Sequence, residues 1–256
     1  MLFESDDEVN HRATRPTRVR VALFWLSVLL AAALVAVILW PNRAGMPLTA
    51  AVGNDVMTVL DFNTAFPAPY TPMAPPPGWR HRTFWFTQPM QASFVTHEGH
   101  VALRCETRSS GSILGRTTDI DVAAWNKLEW SWFVEVPITS ERDEATPEGD
   151  DHPVRLFLEF RDTQNGRHAA EIIWANRAFK RGEYKYIGGF PHYVADAGND
   201  NIGRWREEAV DLLEIYRTAT GRTDNPRLEF IAVFCDSDNT RSHSIGYTSA
   251  VRLRHR

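Results

Sequence analysis

Two acidic turns stand directly against strand-forming runs in this chain, and carboxylates so placed can hold a cation or a buried guanidinium. Glu148-Gly149-Asp150-Asp151 leads into a run bearing Arg155 and Glu159, and Asp236-Ser237-Asp238-Asn239-Thr240 follows directly on Leu228–Cys235. If the two runs lie side by side, the oxygens of Asp150, Asp151, Asp236, Asp238 and Asn239 converge. Calcium takes about six to eight oxygens from such loops, with carbonyls and water completing the shell. Asp150, Asp151, Asp236 and Asp238 are therefore candidate calcium ligands, and Arg155 is the alternative counter-charge. The plainer reading is of turn residues, with Asp236 and Asn239 capping their own backbone. The spacing is not that of an EF-hand loop.

Aromatic residues are the second source of chemistry. The chain has nine Trp and six Tyr, and sugars dock on aromatic faces while polar groups take their hydroxyls. Trp174, Phe179, Tyr184, Tyr186, Phe190 and Tyr193 sit among Arg177, Lys180, Arg181, Lys185 and His192. From that stretch Trp174, Lys180, Arg181, Tyr184 and Tyr186 are the candidate ligand-binding residues. The alternative is ordinary amphipathic strand packing. Trp130 and Trp132 share a strand face with Leu128 and Val134 and are expected in the core.

No G-x-S-x-G elbow, Walker loop, dinucleotide fingerprint or H-E-x-x-H motif occurs. The nine His are dispersed, with no pair at zinc-ligand spacing. No catalytic residue can be selected. A net charge of −4, with basic residues scattered along the chain, excludes a nucleic-acid partner, which needs a concentrated basic surface.

The elements that must position these groups read as mostly β. Leu128–Val136 alternates, with Leu128, Trp130, Trp132, Val134 and Val136 on one face. Val154–Phe160 repeats the pattern, and Val56–Phe62, His100–Thr107, Ile113–Thr118, Ala170–Trp174, Leu228–Cys235 and Ile245–Leu253 are further strands. Turn residues lie between them at Glu98-Gly99, Asn165-Gly166, Gly188-Gly189 and Asp224-Asn225-Pro226. Many short strands at this spacing predict a two-sheet antiparallel sandwich, jelly-roll-like, with one or two helices. Trp205, Ala209, Leu212, Leu213 and Tyr216 form a helical stripe that Gly221 is placed to end. Pro67–Pro77, with six prolines, reads as a wrapping loop. Glu141–Asp151 reads as an acidic loop between two strong strands.

Val21–Trp40 carries no charge and no helix breaker, and its twenty residues match a bilayer's hydrocarbon core. Arg12, Arg15, Arg18 and Arg20 precede it and Arg43 follows, which places the N-terminus in the cytoplasm and the rest outside. The expected organisation is a cytoplasmic tail over 1–20, a transmembrane helix over 21–40, a linker over 41–55 and an extracytoplasmic domain over 56–256. A cleaved signal peptide is the alternative, although its apolar core usually runs only about 7–15 residues. Cys105 and Cys235, the only cysteines, fall at core-facing strand positions. They can bridge if their strands are neighbours or stay as buried thiols, and spacing alone does not decide.

The order of these features resembles a bacterial family known as domain of unknown function 3047. The resemblance runs from Val59 to the C-terminus. It begins with Asp61-Phe62, Pro77-Gly78-Trp79 and Leu128-Glu129-Trp130-Ser131-Trp132, then Glu148-Gly149-Asp150-Asp151 with Arg155. Trp205-Arg206, Ile215-Tyr216-Arg217, Ile231-Ala232 and Asp236-Ser237-Asp238-Asn239-Thr240 complete it. It implies an exported, β-rich domain and brings no activity with it. Taken together, the chain reads as a membrane-anchored, non-catalytic binding domain for a glycan or cell-envelope component, facing the periplasm or cell exterior. A polysaccharide lyase or hydrolase on the same fold, and a structural module partnering an envelope protein, are the alternatives.

Overall fold

Apolar and polar side chains alternate along most of this chain, and each alternating run gives one face to a shared interior. The structure is a computed structural model and describes residues 45–51, 53–63 and 75–256. Val21–Trp40 and most of Pro67–Pro77 lie outside the described residues. Among the described residues no helix is long and apolar enough to cross a membrane.

The strands are β1 (Val56–Leu60), β2 (Trp79–Thr83), β3 (Gln91–His97), β4 (His100–Arg108), β5 (Gly111–Asp121) and β6 (Lys127–Val136). They continue as β7 (Arg155–Arg161), β8 (Arg167–Ala175), β9 (Tyr184–Ile187), β10 (Phe190–Ala197) and β11 (Arg206–Asp211). Helix α1 (Leu212–Thr220) then precedes β12 (Arg227–Asp236), β13 (His243–Ser249) and β14 (Val251–Arg254). Two seven-stranded sheets result. In the first, β13 and β14 run along one edge of β6 and β11 along the other, while β1 pairs β14 and β4 with β3 flanks β13. The second runs β2-β5-β12-β7-β8-β10-β9.

The two strongest alternating runs are thus central strands of opposite sheets. Trp132 of β6 meets Trp174 of β8 across the interior, ring centroids 5.8 Å apart, and Trp130 packs edge-on at 5.2 Å. All three are buried. Burial of their rings is the largest single contribution a side chain makes to such a core.

Three expectations are corrected. The sandwich is not wholly antiparallel, because β10 lies parallel to β8 while β9 folds back antiparallel outside it. The helical stripe from Trp205 is half strand: Arg206–Asp211 pairs with Lys127–Trp132, and the free edge of β6 overrides the local helical pattern. The helix starts where Asp211 accepts the N–H groups of Leu213 (2.8 Å) and Glu214 (3.1 Å). It ends at Gly221, whose φ of +70° and bond to the Arg217 carbonyl close the last turn. Ile245–Leu253 is broken at Ala250 into β13 and β14.

Cys105 and Cys235 form a disulfide joining β4 of the first sheet to β12 of the second, Cα atoms 6.5 Å apart. The strands are neighbours across the interior rather than within a sheet. Gly246, opposite Cys105 in the first sheet, lies so close to the Pro153 carbonyl that a Cβ would meet it at 2.5 Å. Disulfide and glycine together draw the sheets close at one end. That end carries His152-Pro153 and Cys235-Asp236, the roots of both acidic turns.

Candidate functional site

The second sheet presents an outward row set by its register. Arg80 of β2 stands beside Gly115, then Ala232, Phe157, Glu171, His192 and Lys185 follow on successive strands. One step along, Phe234 and Arg155 are opposite each other on β12 and β7. The loop between β6 and β7 folds over the far end of these rows. It is held there by Glu144, whose carboxylate accepts the backbone N–H groups of Asn176 (2.7 Å), Arg177 (3.1 Å) and Ala178 (2.9 Å). A short 3₁₀ turn, Pro147–Gly149, then delivers Asp150 and His152 onto the sheet.

Arg155 is the hub. Its Nη1 lies 2.8 Å from Glu171 and 3.9 Å from Asp150, its Nη2 bonds Asp236, and its Cζ sits 3.8 Å above the Phe234 ring. Burial opposes the charge, but Asp236, Glu171 and Asp150 outweigh it and hold the guanidinium above its ordinary pKa. Glu171 is likewise buried yet held low, by Arg155 first and His192 next. Asp236 moves the other way: burial pushes its carboxyl well up despite Arg155, and nearby Asp151 adds to the rise.

Lys185 and two histidines complete the network. Lys185 Nζ donates to Asp150 (2.6 Å), His152 Nε2 (2.8 Å) and the Glu144 carbonyl (3.1 Å). An ammonium only donates, so His152 accepts at Nε2 and donates from Nδ1 to the Trp174 carbonyl at 2.9 Å. His152 is therefore neutral, its pKa pushed down to about 4 by burial and by Lys185. His192 is the opposite case. Its Nδ1 faces the Phe190 carbonyl at 3.1 Å, and its Nε2 faces Glu171 at 3.2 Å and Asp150 at 3.5 Å. Acceptors on both sides require an imidazolium, and Asp150 and Glu171 raise its pKa against the effect of burial. Asp150 reaches solvent most, its side chain 17% exposed. Burial would raise its pKa, but His192 and Arg155 hold it well below the usual range.

The second acidic turn lies against the first. Asp151 accepts the backbone N–H (2.6 Å) and hydroxyl (2.6 Å) of Thr240, and Asp236 accepts the His152 N–H at 3.1 Å. Asp151, Asp236 and Asp238 each bring one carboxylate oxygen within 4.8 Å of the others. Three oxygens are half of a calcium shell. Asp150 is not among them, having turned to Lys185, and exposed Asn239 contributes its backbone to Asp151 and to Arg142 rather than its amide. Gly111 is required beneath, since a Cβ there would meet that of Asp236 at 2.6 Å.

A model of the family described as "Protein of unknown function (DUF3047)" matches residues 77–252, well over half of the chain. The chain belongs to the DUF3047 family. The match is shorter than the motifs from Val59 onward suggest. No curated protein matches the chain. Among solved structures, it is similar to the xyloglucanase domain of NopAA, a type three effector from Sinorhizobium fredii. That likeness has 10% identity and a TM-score of 0.38 over 70% of this chain and 93% of that one. It is also similar to the agarase AgWH50C, with 9% identity and a TM-score of 0.31 over 78% of this chain and 24% of that one. This member of the DUF3047 family thus spans about a quarter of that agarase. At those scores neither likeness bears on what the chain does.

The aromatic-basic stretch of this DUF3047 domain does not form one surface. Trp174 is in the core, donating its indole N–H to the Gly198 carbonyl at 3.2 Å, because β8 turns it inward toward Trp132. Tyr184 and Tyr186 alternate with Lys185 and so face away from the polar network. Tyr184 packs against Tyr193, ring centroids 5.2 Å apart. Lys180 and Arg181 lie in the loop before β9, where Arg181 pairs with buried Glu208 at 2.6 Å.

Residues that sequence reading missed form the aromatic floor beside the network. Phe157 stacks with Phe190 and meets Phe230 edge-on, both at 6.3 Å. Arg82 lies 4.0 Å over Phe230 and forks onto Glu159 at 2.5 and 2.9 Å. Phe84 leans on Phe234 at 5.6 Å, next to Trp85, which is 89% exposed, and fully exposed Phe86. The signal available in the sequence was Phe157, Phe230 and Phe234 on the polar-facing side of otherwise alternating strands.

Proposed function

We propose that this domain binds a glycan or another cell-envelope component across the outer face of its second sheet, and does so without turning it over. The observation that carries the reading is the aromatic floor. The outward face of a central strand is ordinarily polar, yet β7 and β12 present Phe157, Phe230 and Phe234 there, with guanidinium groups on two of the rings. Phe230 and Phe234 are buried beneath Arg82 and Arg155, so a sugar ring would stack on half-buried Phe157 and Phe190 beside them, while Arg82 and Glu159 offer a donor and an acceptor for its hydroxyls. Every member of the neighbouring charged network already has its partner, which suits a rigid support better than a reacting pair.

The domain would work outside the cytoplasm, held by Val21–Trp40 as a single-pass anchor. Its support is the Cys105–Cys235 disulfide, a bond that persists in oxidising compartments. The test is a glycan array probed with the detergent-solubilised full chain. Retention should fall when Phe157 or Trp85 is replaced by Ala, with Tyr186→Ala as the control on the opposite side. Equal retention by all three variants would remove this face. Release of reducing ends from a retained glycan would replace binding by hydrolysis or lysis.

A further inference from the structure

At the β2 end of the same face, a groove of about 420 Å³ lies between Arg80, Arg82, Arg161, Arg167, Glu159 and Glu229, with Phe230 lining it. All of its cations are arginines. Each of its acids already has a close guanidinium partner: Glu159 takes the fork of Arg82, Glu229 accepts from Arg161 at 2.5 Å, and Asp119 pairs with Arg227 and, at 3.6 Å, with Arg161. Two guanidinium groups are only weakly engaged. Arg80 is exposed and makes no ion pair among the described residues, and Arg167, with its side chain 85% exposed, only approaches Glu229 at 3.8 Å.

The register joins this groove to the aromatic floor. Between Arg80 and Phe157 the outward row holds only Gly115 and Ala232, the two smallest side chains, and over them the Arg82 guanidinium reaches to 4.0 Å from Phe230 and 5.9 Å from Phe157. We propose that the groove takes the carboxylates of an acidic polysaccharide, with Arg80 and Arg167 as the anion-binding pair and the phenylalanine floor carrying adjoining sugar rings. The inference rests on the glycan reading above and names the ligand class. A planar guanidinium matches a carboxylate in two parallel hydrogen bonds, and exposed arginines with no close partner are the groups that such a ligand neutralises. The three acids are occupied by Arg82, Arg161 and Arg227, so a ligand carboxylate would gain charge-assisted bonds from Arg80 and Arg167, whereas a hydroxyl would gain only ordinary ones.

The experiment uses matched polymers on the full-length protein in detergent: polygalacturonate, alginate and hyaluronate, each beside the same polymer with its carboxyls reduced to alcohols. Affinity electrophoresis should retard the protein in at least one acidic member and not in its reduced partner. Arg80→Gln with Arg167→Gln should weaken that binding by roughly tenfold or more, the loss expected for charge-assisted bonds. The melting temperature should stay unchanged, since both side chains are exposed. Raised salt should weaken binding as well. Equal retardation by acidic and reduced partners, abolished by Phe157→Ala and untouched by the arginine changes, would overturn the acidic ligand and leave the aromatic site standing. Retardation by none of the polymers would overturn the acidic ligand too, and retention of neutral glycans on the array would then decide the broader reading separately.

Discussion

Arg155 touches three carboxylates and one aromatic ring, so its removal is the sharpest single test of the polar network. Arg155→Ala leaves Glu171 and Asp236 buried without their counter-charge, and should cost about 3–5 kcal/mol, read from denaturant midpoints. A loss as small as a surface substitution would mean that water reaches these carboxylates. The pH dependence follows from His192. Its folded pKa is raised above the ordinary 6.5, so its contribution is fully present below that value and lost as pH rises through the folded one. Asp150 and Glu171 have the opposite sign: their contribution is present above the ordinary carboxylate range and lost on acidification. Stability should therefore fall on both sides of a plateau, and His192→Gln should reduce the alkaline limb, to which the raised Asp236 contributes with the same sign, while sparing the sign of the acid one. An unchanged alkaline limb would show that His192 is not the titrating group. Asp151, Asp236 and Asp238 crowd, and burial raises the first two. Calcium at 100 times its dissociation constant should add about 2.7 kcal/mol if it takes those oxygens. A melting temperature unmoved by calcium and by chelation would leave Arg155 as their only counter-charge. Half of this network could be read in the sequence: Asp150, Asp151, Arg155 and Asp236 flank two strongly alternating strands. Glu171, Lys185 and His192 could not, because their meeting depends on which strands are neighbours.

That dependence is a property of the elements. β6 and β7 alternate over long runs, so their existence and inward faces are legible from side-chain period alone, whereas β12 is apolar on both faces and is legible as a strand but not by its inward face. β9 has four residues, and the parallel placement of β10 against β8 is a non-local choice that no local pattern encodes. β11 shows the same limit from the other side. Its residues carry a helical stripe, yet an open strand edge beside them supplies hydrogen bonds that local propensity cannot match. The inter-sheet disulfide is the element-scale device most open to test. It spans 130 residues of chain, and closing so long a loop restrains the unfolded state strongly. Replacing both Cys105 and Cys235 by Ser should cost about 2–5 kcal/mol, and reductant should lower the wild-type melting temperature but not that of the double variant. Because Asp236 follows Cys235 directly, the same change should also weaken any calcium effect. If reductant leaves the wild type unaffected, the bond adds nothing to stability.

At the scale of the whole molecule, the two sheets differ in what they offer to solvent. The outward side of the second sheet gathers the phenylalanine cluster, the buried ion network and the arginine groove, so the parts of the proposed site share one face. The ligand proposed above would be a component of the cell envelope, and disulfides such as Cys105–Cys235 persist in oxidising compartments. Both agree with the charge order around Val21–Trp40, where four arginines before the run and one after it would keep the N-terminus in the cytoplasm. Alkaline phosphatase, which needs its own disulfides to fold, should therefore be active when fused after Arg256 and inactive when fused after Arg20. The reverse pattern, or a fluorescent cytoplasmic reporter active at Arg256, would put the domain in a reducing compartment. Cys105 and Cys235 would then be expected as thiols on mass spectrometry after alkylation in intact cells, and an envelope glycan would lose its access to the groove.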